Sequence, residues 1–197
     1  MSVKPATCAD VDAVVSIHRG ALPRDVAPAL GAPFLERFYR RVLSSPDQVL
    51  LVVRNGDDVE GFCALAMQPP PLRAALRPTD LWTFARKVVR SPSLLASSIV
   101  QARRRTVSDW DGCAEIAFVA VDQRHAGRGH GTDLVRAATA IAAERGKHSV
   151  VTKTANPRLA EFYQREFEAA IIAEFAAVGS TYMVLEWRAA PAQGTDR

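Results

Sequence analysis

A buried strand that runs through a glycine-rich loop into a helix most limits how this chain can fold. The strand is predicted at residues 114–121, an almost continuous run of apolar and β-prone residues. The helix is predicted at residues 132–145, which are rich in alanine and end at Gly146. Between them lies the sequence AGRGHGT at residues 126–132, called the glycine loop below. This order of elements is typical of a sheet flanked by helices.

The remaining pattern adds further strands and helices on both sides of this unit. Strands are predicted at residues 3–5, 48–54, 59–67, 148–154, 169–175 and 181–187, and helices at 10–22, 33–43 and 157–167. The Asn55-Gly56 pair between two β-rich runs is typical of a hairpin. The sequence therefore predicts an α/β (α+β) fold with a mixed sheet of about seven strands flanked by helices.

A basic, helix-forming insertion separates the third and fourth predicted strands. It covers approximately residues 69–110 and begins with three consecutive prolines, which cannot lie within a helix or a central strand. Residues 70–110 contain eight basic and two acidic side chains, a charge of +6, so the rest of the chain carries −2 of the total +4. With 197 residues, we expect one domain over 1–188 and a disordered tail over 189–197.

Several other classes of protein are excluded by the composition. The longest apolar runs have six residues each, too short for a membrane-spanning helix, and the N-terminus lacks the apolar stretch of a secretory signal, so we expect a cytoplasmic protein. The three cysteines form no CxxC pair, and no metal site is expected. The Arg103-Arg104-Arg105 cluster lacks interleaved aromatic residues, so no nucleic-acid partner is expected.

The glycine loop has the properties of an anion-binding site. Main-chain N–H groups converge at the N-terminus of a helix, where the helix dipole favours a phosphate or pyrophosphate. Three glycines in five residues permit positive φ angles and a close approach of the ligand. The run lacks the Gly-Lys-Ser/Thr of a P-loop and the spacing of a dinucleotide fingerprint. An ordinary flexible loop is the alternative.

The strand at 114–121, the glycine loop and the downstream Asn156 and Tyr163 together resemble the GNAT superfamily of N-acetyltransferases, which use acetyl-CoA. The resemblance implies a sheet that splays between its fourth and fifth strands, and a pyrophosphate motif Gln/Arg-x-x-Gly-x-Gly/Ala. The motif can begin at Ala126 or at Arg124, and we favour Ala126, because the helix of the family then begins near Thr132. It also implies acetyl-CoA as acyl donor, without a metal.

The resemblance assigns roles to particular residues. The expected acetyl-CoA contacts are Val119, Ala120, Val121, Ala126, Gly127, Arg128, Gly129, His130, Gly131, Thr132, Asn156 and Tyr163. Tyr163 would also protonate the departing thiolate, and Glu115 would take the proton of the amine. Each of the three polar residues has a structural alternative: an aromatic core position for Tyr163, a salt bridge for Glu115 and a helix N-cap for Asn156.

The resemblance implies direct attack of a primary amine in a ternary complex. We expect a small-molecule acceptor, and the charge of the insertion suggests an anionic one. A solvated cationic face is the alternative for the insertion, as is a membrane-surface or homodimer contact through its apolar residues. For function, the alternatives are a non-catalytic acyl-CoA sensor and a protein N-terminal or lysine acetyltransferase. A sensor could lose Glu115 or Tyr163, and the presence of both favours an enzyme.

Overall fold

A seven-stranded mixed sheet is the centre of the fold. The computed structural model describes residues 2–22, 26–69, 75, 77–80, 82, 86, 111–177 and 180–190. The strands are β1 Ser2–Pro5, β2 Gln48–Asn55, β3 Asp58–Ala66, β4 Cys113–Val121, β5 Ser149–Thr154, β6 Ala170–Ala177 and β7 Ser180–Arg188. Their order is β1-β2-β3-β4-β5-β7-β6, and every pair is antiparallel except β4 with β5. The predicted fold class is confirmed.

The described helices lie close to their predicted positions. They are α1 Val11–Ala21, α2 Val26–Ala29, α3 Ala32–Leu43, α4 His130–Glu144 and α5 Pro157–Phe167. The four-residue α2 was not predicted. Helix α4 begins two residues before its predicted start, because Gly129 takes a left-handed conformation as N-cap and Gly131 falls in the first turn. Glycine is tolerated at these positions, although its intrinsic helix propensity is low.

A hydrophobic core covers each face of the sheet. On one side, called the α1–α3 face, Val14, Phe34 and Phe38 pack with Val52 and Phe62. On the other side, called the α4–α5 face, the packed residues include Leu134, Ala138, Ile116, Leu185 and Trp187. Because side chains alternate along a strand, β2, β3 and β4 contribute to both cores. Strand β4 is therefore packed on both faces, whereas β5 contributes Val150 to the core of the α4–α5 face.

The predicted insertion lies between β3 and β4, and most of it falls outside the described residues. The helical pattern of the insertion indicates helices over 81–89 and 94–104; apart from residues 82 and 86, both lie outside the described part of the chain, as do residues 191–197 of the predicted tail. Ala75 is buried in the core of the α1–α3 face, and its carbonyl accepts a hydrogen bond of 3.3 Å from Arg37 Nε. Arg37 also pairs with Asp80. The described part of the insertion is thus tied to α3. In the described ranges, no helix is both long and apolar enough to cross a bilayer.

Candidate active site

The sheet opens between its two parallel strands. In the described chain, β4 pairs with β5 only at Cys113, Ala114 and Glu115, although β4 continues to Val121. The last pair joins Glu115 to Val151, and the opening that follows it is called the fork below. The side of β4 that faces β5 is thus open beyond the fork, as the resemblance implies for a splayed sheet.

A bulge in β4 lies just beyond the fork. Leu65 of β3 pairs with Ile116 and Ala64 pairs with Phe118, so Ala117 is an extra residue on β4. Bulges bend a strand and increase its twist. The bulge, which the sequence did not predict, helps to turn β4 away from β5.

The glycine loop has the backbone geometry of an anion site. Gly127 and Gly129 have φ angles of +80° and +85°, a region that L side chains rarely adopt. A Cβ atom at either position would meet no heavy atom within 4 Å, so the loop borders open space. The Asp133 N–H donates to the Gly129 carbonyl at 3.1 Å, which leaves the N–H groups of residues 130–132 without an intrahelical acceptor.

The structure separates the two possible motif registers, which begin at Arg124 and at Ala126. Arg124, in the 3-10 turn Gln123–His125, is exposed and its guanidinium binds Asp122 at 2.7 Å. Hydrogen bonds from this guanidinium and from the Arg124 main-chain N–H lower the pKa of Asp122 to about 2. The register from Ala126 places its two glycines at the N-cap and in the first turn of α4. Arg128 is exposed in the loop, between Gly127 and Gly129.

Asn156 is the N-cap of α5. Its side-chain oxygen accepts a hydrogen bond of 3.1 Å from the Arg158 N–H, and Pro157 occupies the first turn. The Asn156 N–H donates to Thr154 Oγ1, also at 3.1 Å. The predicted N-cap is thus observed, at the end of the strand that borders the fork.

Tyr163 is buried in the core of the α4–α5 face, with 1% of its surface exposed. Its ring stacks on Trp187 at a centroid distance of 5.3 Å. Burial, followed by the nearby Cys63 thiol, raises the pKa of Tyr163 well above its usual range, against the opposing effect of a hydrogen bond with Thr152. Thr152 Oγ1 in turn donates to the Ile116 carbonyl at 3.1 Å. The Tyr163 hydroxyl is therefore connected to the fork through one side chain.

Glu115 stands at the last paired position of β4. It lies on the face opposite Ala114 and Ile116, since side chains alternate along the strand. Its side chain is 10% exposed, and its Oε1 lies 3.9 Å from Lys153 Nζ on β5. The structure thus contains the ion pair that was the structural alternative for this residue. It places Glu115 and Tyr163 on opposite faces of the sheet, with the fork between them.

Two polar clusters were missed by the sequence analysis. His18 on α1 is fully buried, and its Nδ1 lies 2.5 Å from the Tyr39 hydroxyl. Burial lowers the pKa of His18 to about 4. The second cluster joins Glu60 of β3 to two histidines: His125, just before the glycine loop, and His130, within it. Its sequence signal is a carboxylate directly before Gly61 in an otherwise apolar strand.

Among the described residues, no three His, Cys, Asp or Glu side chains are grouped as metal ligands.

Comparisons with known proteins agree with this geometry. The model of the acetyltransferase (GNAT) family matches residues 13–168. No curated protein matches the chain at significant sequence similarity.

Solved structures resemble the chain over nearly its whole length. One is the yncA protein of Salmonella typhimurium with its cofactor acetyl-CoA, with 14% identity, a TM-score of 0.61, and coverage of 100% of this chain and 98% of that one. Another, from Corynebacterium glutamicum, is described as histone acetyltransferase HPA2 and related acetyltransferase, with 17% identity, a TM-score of 0.61 and 98% coverage of each chain. A third is an aminoglycoside 6'-acetyltransferase type Ii, with 12% identity, a TM-score of 0.62, and coverage of 98% and 100%.

Proposed function

Because this chain belongs to the acetyltransferase (GNAT) family, we propose that it transfers the acetyl group of acetyl-CoA to a primary amine of a small molecule in a ternary complex. One observation carries the proposal. Strand β4 leaves β5 at the fork and runs directly to the glycine loop, so an open strand edge and a helix N-terminus follow each other along one path.

The residues along this path fit coenzyme A. The N–H groups of His130, Gly131 and Thr132 would hold the pyrophosphate, where the helix dipole favours negative charge. The open edge over residues 119–121 would hold the pantetheine arm, and Ala126, Gly127, Arg128, Gly129 and Asn156 complete the proposed set. The open space that borders Gly127 and Gly129 supports this assignment.

Two side chains at the fork would move protons. When bound, acetyl-CoA supplies an activated acetyl thioester. Tyr163 would give its hydroxyl proton to the departing thiolate; burial, which raises the pKa of Tyr163, keeps this hydroxyl protonated at neutral pH but also makes it a weaker acid than an exposed tyrosine. Glu115 would accept the proton of the incoming amine from the opposite face of the sheet. A main-chain N–H near Val119 or Ala120 would polarise the acetyl carbonyl.

The acceptor is proposed as an anionic small-molecule amine. The charge of +6 over residues 70–110 supports it, because a basic region attracts anions and raises their local concentration. One neighbour is named for an aminoglycoside, which is also a small-molecule amine. A cytoplasmic location and a homodimer stay predictions from the sequence.

Replacement of a loop glycine tests the proposed binding site. We expect Gly129→Glu to abolish acetyl-CoA binding in calorimetry, because the side chain fills the open space and adds negative charge beside the pyrophosphate. Gly146→Glu is the matched control, since Gly146 has a similar φ of +78° after the other end of α4. Equal affinity in the two variants would contradict the assignment of the loop. Thiol release from acetyl-CoA over a panel of anionic and neutral amines then identifies the acceptor class.

A further inference from the structure

A buried carboxylate contacts a histidine on each side of the two left-handed glycines of the glycine loop. Glu60 is 2% exposed, and its Oε2 lies 2.7 Å from Nε2 of His130, the first residue of α4. Its Oε1 lies 3.6 Å from Nε2 of His125, the last residue of the 3-10 turn before the loop. The proposed function uses the main chain of the loop and leaves these three side chains without a role.

The local backbone explains how Glu60 reaches the loop. In the pairing of β2 with β3, Val53 lies opposite Gly61 and Arg54 opposite Val59, so Glu60 is an extra residue on β3. A bulge of this kind redirects a side chain away from the regular alternation. The Glu60 carbonyl also accepts a hydrogen bond of 2.8 Å from the Asp122 N–H. The bulge is thereby fixed to the end of β4, where the chain enters the loop.

Burial makes the two histidines the natural partners of this carboxylate. An ionised carboxylate without a partner is costly in the interior, and it would repel an anion bound at the nearby helix N-terminus. The Nε2 atom of His130 and the Oε2 atom of Glu60 are both buried, and they lie 2.7 Å apart. The contact lacks hydrogen-bond geometry, but at this distance a small rotation of either side chain would let the two atoms share one hydrogen.

The two left-handed glycines of the loop contribute little to holding its conformation. Gly127 and Gly129 are the residue type with the greatest backbone freedom, and no heavy atom would lie within 4 Å of a Cβ at either position. A flexible loop loses affinity for its ligand, because the ligand must then order it. The conformation that presents the N–H groups of residues 130–132 therefore depends on how the two ends of the loop are held.

We propose that Glu60 is a positioning residue for coenzyme A: by holding His125 and His130, it fixes both ends of the glycine loop before the ligand binds. The proposal rests on the proposed function, since it concerns the same binding site. Glu60 touches no ligand in this account. Its contribution to affinity comes from order in the free protein.

The test combines binding with a measurement on the free protein. We expect Glu60→Ala to weaken coenzyme A binding by about tenfold, which corresponds to roughly one additional backbone residue ordered on binding. Amide hydrogen exchange at residues 127–131 should become faster in the free variant. Glu60→Gln keeps the length and hydrogen-bonding capacity of the side chain and should recover part of both effects.

Asp10→Asn is the matched control for a general loss of stability. Asp10 is also a buried carboxylate, with 3% exposure, and it pairs with Arg54. Asp10 lies just before the first residue of α1. This helix contacts the region of the loop at its other end, where the Gly20 carbonyl accepts a hydrogen bond from Gln123. We expect this variant to melt at a lower temperature, with unchanged coenzyme A affinity well below its melting temperature and unchanged exchange at the loop.

Each result decides between the two proposals. If the wild-type protein binds coenzyme A and Glu60→Ala binds equally well, or if Asp10→Asn loses as much affinity, the role of Glu60 is wrong and the proposed function stands. If the wild-type protein does not bind coenzyme A, the proposed function fails first. Should Glu60→Ala not fold, His125→Asn releases one end of the loop at a partly exposed side chain. It should weaken binding about threefold with faster loop exchange, and unchanged values would overturn the proposal.

Discussion

Tyr163 and Glu115 approach the fork from opposite faces of the sheet. Tyr163 reaches it from the α4–α5 face through Thr152 and the Ile116 carbonyl, and Glu115 stands on the other face beside Lys153. Each also has a structural role, in an aromatic core and in an ion pair. A catalytic role for either residue must therefore be separated from its contribution to stability.

For Tyr163, we expect the Tyr163→Phe substitution to lower kcat by about 10²- to 10⁴-fold, the usual effect of losing a general acid. The ring and its stacking on Trp187 remain, so the free energy of unfolding should fall by only about 1 kcal/mol for the lost hydrogen bond. Tyr182→Phe is the control, since Tyr182 stacks on Phe175 in a separate cluster. Wild-type turnover of Tyr163→Phe, measured where chemistry limits the rate, would leave Tyr163 as a core residue alone.

For Glu115, removal of either partner of the ion pair gives the discriminating comparison. If Glu115 is the base, Glu115→Gln lowers kcat/KM most near neutral pH and recovers at higher pH, where more of the amine is already neutral. Lys153→Met breaks the same ion pair but leaves the carboxylate, so it should retain far more activity. The pH profiles of kcat/KM and the melting curves check this. Equal, pH-independent losses in both variants would assign Glu115 to stability only.

At the scale of the elements, close contact between β3, β4 and α4 sets the path from the fork to the glycine loop. A Cβ at Gly61 would lie 3.0 Å from the Ala120 carbonyl oxygen and 3.2 Å from both Leu134 Cδ1 and Val121 Cγ2. Only glycine allows β3 to approach the next strand and the helix this closely. The spacing of three elements thus depends on one residue.

We expect Gly61→Ala to destabilise the protein by about 1–3 kcal/mol, the usual cost of overpacking. It should also weaken coenzyme A binding, because the strain falls on residues 120 and 121 of the proposed site. Gly20→Ala in α1 is the control: a Cβ there meets no atom within 4 Å, and alanine in a helix should add about 0.5–1 kcal/mol. Denaturant unfolding measures both values, and a neutral Gly61→Ala would refute the close packing.

At the scale of the whole molecule, His18 links the pH dependence of stability to the core of the α1–α3 face. Helix α1 contributes His18, α3 contributes Tyr39, and β3 and β4 contribute Phe62 and Phe118, whose rings lie within 5.8 Å of the imidazole centroid. The folded protein keeps this imidazole neutral, with a pKa of about 4. The unfolded chain protonates it near the ordinary histidine pKa of 6.5.

Because the unfolded state then binds more protons below pH 6.5, stability falls as the pH drops from 6.5 toward 4. From the two pKa values we expect a loss of about 2 kcal/mol between pH 7.5 and 5. His18→Gln should remove most of this dependence, whereas His148→Gln, at an exposed position, should keep it. Denaturant unfolding at both pH values checks the expectation, and an unchanged slope in His18→Gln would contradict it.

The secondary-structure elements and most of their bounds can be predicted from the amino-acid sequence, because the signals for them are local. Apolar residues recur with the period of a helix or a strand, Asn55-Gly56 makes a hairpin, and Asn156 caps α5 ahead of Pro157. The same local order, with the glycine loop, was enough to indicate the family and its acyl donor.

Contacts between residues far apart in the chain could not be predicted in this way and are known from the fold. The placement of β7 between β5 and β6, the bulges at Glu60 and Ala117, and the contact of His18 with Tyr39 all depend on pairings between segments far apart in the chain. A local pattern carries no information on such pairings, because it is the same whichever strand lies alongside. For that reason Glu60 could be read from the sequence only as an unusual carboxylate, and its position under the glycine loop emerged from the fold.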